Sequence, residues 1–319
     1  MPYHDRITPP RTFANLDGTV RVAGLRELMR WQLGLHDERQ PRSPGTGVEV
    51  PTVANDGRAL RKANRDALTW IGHASFLVQL GGRTALVDPI LSDRIAGTIR
   101  RHVAPGLDYP TLPPKIDAVL VTHNHRDHMD APTLRRLGPD PVYVVPRGMG
   151  SWFLRSGLRR VVEMDWWQEE EIEGLRVTFV PSQHWSRRGL TDTNRSWWGG
   201  FVLERGGLRV YHSGDTAWFE GFAEIGERCG PIEVAMLPIG AYAPRWFMKY
   251  QHMDPNDAVR AFVALGARRF MAMHWGTFKL TDEDLREPPR RLREAWEREG
   301  LPDERRMIPA IGQTSWLDG

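Results

Sequence analysis

The chain has 319 residues, 40% hydrophobic and 26% charged, the make-up of one large globular domain or two small ones rather than of a disordered or fibrous chain. Its 43 basic residues nearly balance 40 acidic ones, and a formal net charge of +3 leaves no basic field for nucleic acid. The single cysteine, Cys229, excludes an internal disulfide and a thiolate metal cluster, and no apolar run approaches the ~20 residues of a membrane span.

The N-terminal segment Met1-Pro-Tyr-His-Asp-Arg6 lacks the apolar core of a secretory signal, so a cytoplasmic enzyme is the default expectation. Residues 1–66 are rich in Pro and Gly, as in Pro41-Arg-Ser-Pro-Gly-Thr-Gly47, and poor in strand patterns. They read as an arm that packs on a main domain over residues 67–319. One helix is predicted in the arm over Leu25–Leu35, where Leu25, Leu28, Met29, Trp31 and Leu33 make an apolar stripe. The stripe reads as a core contact, with a membrane anchor as the competing reading. Cys229 reads as an inert small apolar residue.

From Leu68 onward strand signals are dense. Leu68–Ile71, Ser75–Leu80 and Thr84–Val87 predict a meander with Gly81-Gly82 as a hairpin turn. Asp117–Val121 is an apolar run that reads as a buried strand. A helix over Pro132–Leu137, a strand at Val142–Val145 and a helix over Gly148–Ser156 follow. Strands come next at Leu175–Val180, Gly200–Leu203 and Leu208–His212, the last two joined by Gly206-Gly207. Then a helix over Trp218–Ile225 leads to a strand at Val234–Pro238. The helix over Pro255–Leu265 has Asp254 as its N-cap, Pro255 in its first position and Asp257 in its first turn. A strand at Phe270–His274 and a helix over Pro289–Glu299 complete the order. Strands and helices mixed in this way suit two packed sheets with helices outside, an α/β (α+β) fold.

Chemistry concentrates directly after the Asp117–Val121 strand, in Thr122-His-Asn-His-Arg-Asp-His128. Residues two apart on an extended chain point to one side, so His123 and His125 can converge on one point. Asp127 and His128 follow where the chain must turn and can face a second point. His184, Asp215 and His274 each come after a strand-like run as well. Ligands delivered from several strand ends on one edge of a sandwich form a single cluster. Imidazole with carboxylate suits zinc, and also iron or manganese.

These residues resemble the metallo-β-lactamase superfamily, whose His-x-His-x-Asp-His motif the segment from His123 to His128 matches. The likeness extends across Trp70-Ile-Gly-His-Ala-Ser-Phe, Val87-Asp-Pro-Ile, Pro181-Ser-Gln-His-Trp, Ser213-Gly-Asp-Thr, Gln251-His-Met-Asp-Pro and His274-Trp-Gly-Thr-Phe. These segments look like the branch of N-acyl-phosphatidylethanolamine-hydrolysing phospholipase D. The resemblance implies a four-layer αβ/βα sandwich with two divalent ions, zinc (Zn²⁺) first and iron or manganese as alternatives. It gives one ion to His123, His125 and His184, the second to Asp127, His128 and His274, and makes Asp215 the bridge with a hydroxide. Asp88 and Asp130 would orient ligand imidazoles, the competing reading being turn aspartates at strand ends. The family commonly carries Tyr where this chain has Arg126 and a small residue near His212; both departures bear on the rim of the pocket.

The resemblance implies a phosphodiesterase of phospholipase D type, acting through the metal-bridging hydroxide on a small-molecule or lipid phosphodiester with an apolar group. Asp215 would orient the hydroxide, and His252 would protonate the leaving group. His73 would sit beside the site or lock the hairpin. In the loop after Val234–Pro238, which carries Tyr242, Arg245 and Trp246 on the substrate side, Arg245 would hold a phosphate oxygen, and Trp246 with Phe247 would meet an acyl or aryl group; otherwise the loop is packed around one buried ion pair. The thirteen tryptophans are core or groove lining. A metal-dependent lactonase or other carbonyl hydrolase is the alternative, and a non-catalytic binding protein stands third. Peripheral membrane contact and a homo-oligomer stay open.

Overall fold

A computed structural model of the chain describes residues 12–19, 21–38, 49–62 and 65–317; the N-terminal hexapeptide and the Pro41–Gly47 run lie outside the described residues. The arm carries α1 (Leu25–Gln32) and α2 (Arg58–Lys62). The first sheet opens with an antiparallel meander of β1 (Ala67–Gly72), β2 (Ser75–Leu80) and β3 (Arg83–Val87). Gly81 and Gly82, at φ 52° and 75°, turn the β2–β3 hairpin as the sequence predicts. A small hairpin, β4 (Arg94–Ile95) with β5 (Ile99–Arg100), stands apart from both sheets. The chain then runs through β6 (Ala118–Leu120), α3 (Ala131–Leu137), β7 (Val142–Pro146), α4 (Gly150–Arg155) and β8 (Val161–Met164). Strands β6, β7 and β8 add in parallel beside β3.

Side-chain alternation puts Phe76, Val78 and Val87 between the sheets, while Leu77, Leu86 and Val119 meet Leu134 of α3 and Phe153 of α4. Both faces are covered, which is why the Asp117–Val121 run is apolar without alternation.

The second sheet repeats the plan. β9 (Glu169–Ile172), β10 (Leu175–Pro181), β11 (Gly199–Arg205) and β12 (Leu208–His212) are antiparallel. After α5 (Gly221–Cys229) come β13 (Val234–Pro238), α6 (Arg245–Met248), α7 (Pro255–Leu265), β14 (Arg269–Met273), α8 (Glu287–Arg298) and β15 (Arg306–Met307). Strands β13, β14 and β15 continue from β12 in parallel. Phe262 of α7 and Trp296 of α8 close on Phe270 with ring centroids 5.8 and 5.7 Å apart, so helices cover this sheet too. β16 (Thr314–Trp316) crosses back to pair with β1. The layers are helix, sheet, sheet, helix.

Three departures from the sequence expectations have physical causes. β9 is an edge strand whose Glu169-Glu170-Glu171 run gives no apolar signal; such charges keep an exposed edge from pairing further. β14 stops at Met273 because His274 turns into the left-handed region at φ 62°. The stripe on α1 is not a core contact. No residue of α1 is buried, and Leu25 is 73% exposed, with Leu28 and Met29 also open. Trp31 packs with its ring 4.9 Å from that of Phe247 and its Nε1 donating to Asp282 at 3.0 Å, and Arg30 lies over the Trp246 ring at 4.9 Å. The segment is tied down elsewhere by buried Phe13, Val50 and Leu60 and by polar contacts. Asn15 Oδ1 accepts from the His184 amide at 3.1 Å and from Trp198 Nε1 at 2.9 Å.

Candidate metal centre

Strand ends from both sheets meet at one edge. Thr122–His128 follows β6, His184 follows β10, Asp215 follows β12 and His274 follows β14. The backbone there is closely fitted. A Cβ on Gly214 would lie 2.6 Å from the Gly199 carbonyl oxygen, and one on Gly240 would lie 2.2 Å from the His274 carbonyl oxygen. His73, Asp88 and His274 all hold positive φ, at 53°, 43° and 62°. Side-chain-bearing residues keep such conformations where the surroundings over-determine them, as at functional sites.

His123 Nε2 lies 2.9 Å and His184 Nε2 3.2 Å from His125 Nδ1. Asp215 reaches across, with Oδ2 3.1 Å from His128 Nε2 and 4.0 Å from His184 Nε2, and Oδ1 3.0 Å from His274 Nε2. Asp127 Oδ2 is 3.8 Å from both His128 Nε2 and His274 Nε2. Tetrahedral ligands ~2.1 Å from an ion stand about 3.4 Å from one another, so these separations suit ions at two neighbouring points. His128 Nε2, His274 Nε2 and Asp215 Oδ1 are buried without a hydrogen-bond partner. Buried polar atoms are nearly always satisfied, and a convergent set of orphaned lone pairs fits a cation. The seven side chains could therefore hold metal.

Protonation suits the same end at His125, His184 and the two carboxylates. Burial, followed by the His184 charge, pushes His125 down to about 3, and burial pushes His184 down to about 4, so both are neutral lone-pair donors at pH 7. Burial opposes charge on Asp127 and Asp215, but His128 outweighs it and holds both carboxyls well below their usual range. Against burial, Asp215 pushes His274 up to about 9 and His128 well above its ordinary value, so an ion bound there has to displace a proton from each ring.

Partners outside the cluster fix the rings. Asp88 Oδ2 accepts from His128 Nδ1 at 2.7 Å and from Thr122 Oγ1 at 2.6 Å, while Oδ1 accepts from the Thr122 amide at 2.8 Å. Once an ion displaces the second proton, the remaining one is kept on Nδ1 of His128 and the Nε2 lone pair faces the cluster. His184 Nδ1 donates to the Gln251 carbonyl at 2.8 Å, with the same effect. His73 Nε2 is 3.2 Å from Asp127 Oδ2. Burial and then His274 push His73 down to about 4, so a neutral Nε2–H donates to the carboxylate.

A cleft of about 500 Å³ opens onto His125, Asp127, Asp215 and His252. Val22, Leu28 and Trp31 of the arm, Ile95 and Ile99 of the small hairpin, and Trp185 give it apolar walls. Phe247 and Met248 of α6 add to them. His252 stands in the wall with its Nδ1 3.9 Å from Asp215 Oδ2 and its ring 5.2 Å from that of His184. Burial holds its imidazole well below the ordinary value.

Residues 83–275 match the family model described as a β-lactamase superfamily domain. Over 254 residues the chain is 37% identical to N-acyl-phosphatidylethanolamine-hydrolyzing phospholipase D 1 of Caenorhabditis elegans, covering 74% of this chain and 71% of that one. The chain belongs to the metallo-β-lactamase superfamily. Within that superfamily it is a metal-dependent hydrolase. It is also 35% identical over 286 residues to the mitochondrial N-acyl-phosphatidylethanolamine-hydrolyzing phospholipase D of Saccharomyces cerevisiae, matching 85% of this chain but only 60% of that relative's length. A crystal structure of a possible metal-dependent hydrolase from Veillonella parvula superposes with a TM-score of 0.65 at 19% identity, over 79% of this chain and 99% of that one, which bears on the fold alone.

Several expected site residues of this superfamily member lie elsewhere. Asp130 orients no ligand imidazole among the described residues: its Oδ2 accepts from Ser92 Oγ at 2.6 Å and Thr133 Oγ1 at 2.5 Å at the start of α3. Tyr242 is buried and donates to Glu287 at 2.9 Å, away from the cleft. Arg245 is turned to the start of α7, where it pairs with Asp257 at 2.7 Å and donates to the His252 carbonyl at 2.9 Å. Trp246 packs toward the arm, its ring 5.7 Å from that of His36. The loop is thus packed around an ion pair, and of its aromatic residues only Phe247 reaches the cleft. His212 is buried with Nε2 on the Ala74 carbonyl at 2.8 Å.

Sequence reasoning missed Thr122, Gln251 and Glu283. Glu283 accepts from the amides of Ala241, Tyr242 and Ala243 at 2.6, 3.3 and 3.0 Å, and so shapes the loop beside His274. A carbonyl acceptor such as that of Gln251 leaves no trace in residue type; Glu283 sits 42 positions from Ala241 with no local pattern.

Proposed function

We propose that this hydrolase is a dinuclear phosphodiesterase of phospholipase D type, acting on a phosphodiester that carries an apolar or lipid-like group. The observation that carries the reading is the pairing of two candidate ligand sets joined by Asp215, with His128 Nε2, His274 Nε2 and Asp215 Oδ1 unpartnered among the described residues, and a largely apolar cleft that opens onto them. His123, His125 and His184 would hold one divalent ion and Asp127, His128 and His274 the other, zinc first and iron or manganese next, with Asp215 shared. When bound, such a pair supplies Lewis acidity for phosphoryl oxygens and an ionised water at neutral pH.

The chain's own groups do the rest. Asp215 spans both sets and is placed to orient the attacking water. Asp88 and the Gln251 carbonyl keep His128 and His184 in the ligating tautomer. His73 steadies the Asp127 carboxylate. His252 is neutral at pH 7 and faces the cleft, so it can take a proton from water or give its one N–H to the leaving oxygen. The arm over residues 1–66 walls the cleft through Val22, Leu28 and Trp31, and its exposed Leu25 and Met29 beside the mouth support substrate drawn from a lipid surface. Among the described residues no helix is long and apolar enough to cross a membrane, so such contact would be peripheral.

The test is metal analysis combined with a hydrolysis panel of bis-aryl phosphates, glycerophospholipids and lactones on one preparation. Two ions per chain with diester cleavage is the expected result. Cleavage of lactones alone would replace this reading with the carbonyl-hydrolase one.

A further inference from the structure

One side of the cleft mouth is cationic, and among the described residues its arginines have no paired carboxylate. Arg126, Arg187 and Arg188 all line the cleft that contains His125, Asp127 and Asp215. Their hydrogen bonds run to main-chain oxygens. Arg126 Nη2 donates to the Arg188 carbonyl at 3.2 Å, and Arg187 Nε donates to the Gly189 carbonyl at 3.0 Å. Arg188 Nη1 donates to the carbonyls of Met129 and Asn124 at 2.8 and 3.3 Å. The nearby Asp192 is occupied by the Arg188 and Gly189 amides, at 3.1 and 2.7 Å. Among the described residues none of the three guanidiniums has a carboxylate within 4.0 Å, whereas Arg245 on the far side of His252 is paired at 2.7 Å. Arg188 is half-buried, and burial followed by the Arg126 charge pushes it down to about 10, with Asp130 and Asp192 opposing the shift from beyond pairing distance.

Arg126 and Arg187 are exposed, and Arg188 behind them is turned toward the Asn124 and Met129 carbonyls and the Trp152 ring, 5.6 Å away; lining the same cleft as an apolar wall and with no carboxylate partner among the described residues, they are the complement of an amphiphile with a charged end. We propose that Arg126, Arg187 and Arg188 form a second anion subsite, and that the preferred substrate carries, besides the scissile phosphodiester, a further anionic group of carboxylate or phosphate type. This rests on the phosphodiesterase reading for its chemistry, but the subsite can be measured without turnover. Arg126 and Arg187 are the exposed pair and select by charge. Arg188 also holds the Asn124–Met129 loop through its carbonyl bonds, so it is a poor first target for substitution.

The test uses the full metal-loaded chain and two soluble nitrophenyl alkyl phosphodiesters below their aggregation concentration. They are identical except that one bears a carboxylate and the other its methyl amide. The expected ratio of kcat/KM, carboxylate over amide, is about tenfold, the discrimination that one charge-assisted hydrogen bond supplies. It falls toward one in the Arg126→Gln, Arg187→Gln double variant and is largely restored in the Arg126→Lys, Arg187→Lys double variant. Raising salt from about 0.05 M to about 0.5 M compresses it in the wild type. A wild-type ratio near one, or a ratio unchanged in the glutamine variant, overturns the subsite. So does a preference that appears only on anionic vesicles, since that marks a surface drawn to membranes instead. If neither diester is turned over, the phosphodiesterase reading fails separately. The subsite is then read from calorimetric binding of the carboxylate-bearing and amide-bearing alkyl phosphonates, where the same tenfold ratio is expected and its absence refutes the proposal.

Discussion

Substituting Asn for Asp88 removes one charge and almost no volume, at a position that touches no substrate. Asp88 is fully buried and accepts three hydrogen bonds, from His128 Nδ1, Thr122 Oγ1 and the Thr122 amide, at 2.7, 2.6 and 2.8 Å. Its φ of 43° is one that Asn tolerates, so no new backbone strain arises. An amide, however, has only one acceptor oxygen. In one orientation its NH₂ meets the His128 Nδ1–H; in the other it meets the Thr122 N–H. Either clash costs about 1–3 kcal/mol, and the first is relieved by moving the His128 proton to Nε2, where it blocks the lone pair facing the cluster. At about 1.4 kcal/mol per decade, that is a loss of roughly 10–100-fold in affinity for the ion that His128 would hold. Competition with a chromophoric chelator measures it, beside turnover at saturating metal and a denaturant midpoint. The expected pattern is weaker binding of one ion out of two, with turnover partly recovered by excess metal. Two ions retained at wild-type affinity would show that Asp88 does not set the His128 tautomer.

The remaining predictions concern the cluster, the cleft and its supports. Asp127→Ala should abolish turnover and leave a soluble, folded chain, because Asp127 sits beyond a strand end; elemental analysis should fall from two ions to about one, and insoluble protein would mark the cluster as structural. His252→Ala should slow a diester with an alkoxide leaving group by roughly 10²–10⁴-fold and a nitrophenyl diester much less, if His252 protonates the leaving oxygen; equal slowing of both would assign it to the water or to positioning. Glu283→Gln sets an NH₂ against a main-chain N–H and should lower stability by about 1–3 kcal/mol and raise KM, read from a denaturant titration and steady-state kinetics. Leu25→Ser with Met29→Ser should reduce co-sedimentation with lipid vesicles while hydrolysis of a soluble nitrophenyl diester changes less than about twofold; undiminished binding would free α1 of that role.

Much of this architecture is legible in the residues because the local signals agree with the fold. Strands β2 and β3, and β11 and β12, announce themselves through apolar runs joined by double glycines, and α7 through Asp254 and Pro255, whose cap the structure shows in the Asn256 and Asp257 amides. The histidines and aspartates of the cluster are legible because nothing else explains their density at strand ends. What the sequence hides is orientation. Tyr242, Arg245 and Trp246 stand in one loop that runs beside the site, but which side of the loop faces the cleft depends on Glu283 and Asp257, distant in sequence. Asp88 and Asp130 look alike on paper; β3 ends against His128, and α3 begins against Ser92 and Thr133. The stripe on α1 has core-like periodicity, and only the contacts of Trp31 and Arg30 show that the helix stands on its edge.

The seam on which the cluster sits gives it a second significance. His123, His125, Asp127 and His128 belong to the half of the chain that builds the first sheet, and His184, Asp215 and His274 to the half that builds the second. Apart from β16, each sheet is made from one continuous stretch of chain. Each half alone would present an incomplete set of donors, so an ion with both groups of ligands in reach clasps two separately woven pieces. Affinity for that ion is then a gauge of how well the halves have docked. A substitution deep in the inter-sheet packing, far from any histidine, should register first as a leaking metal and only later as a melted fold.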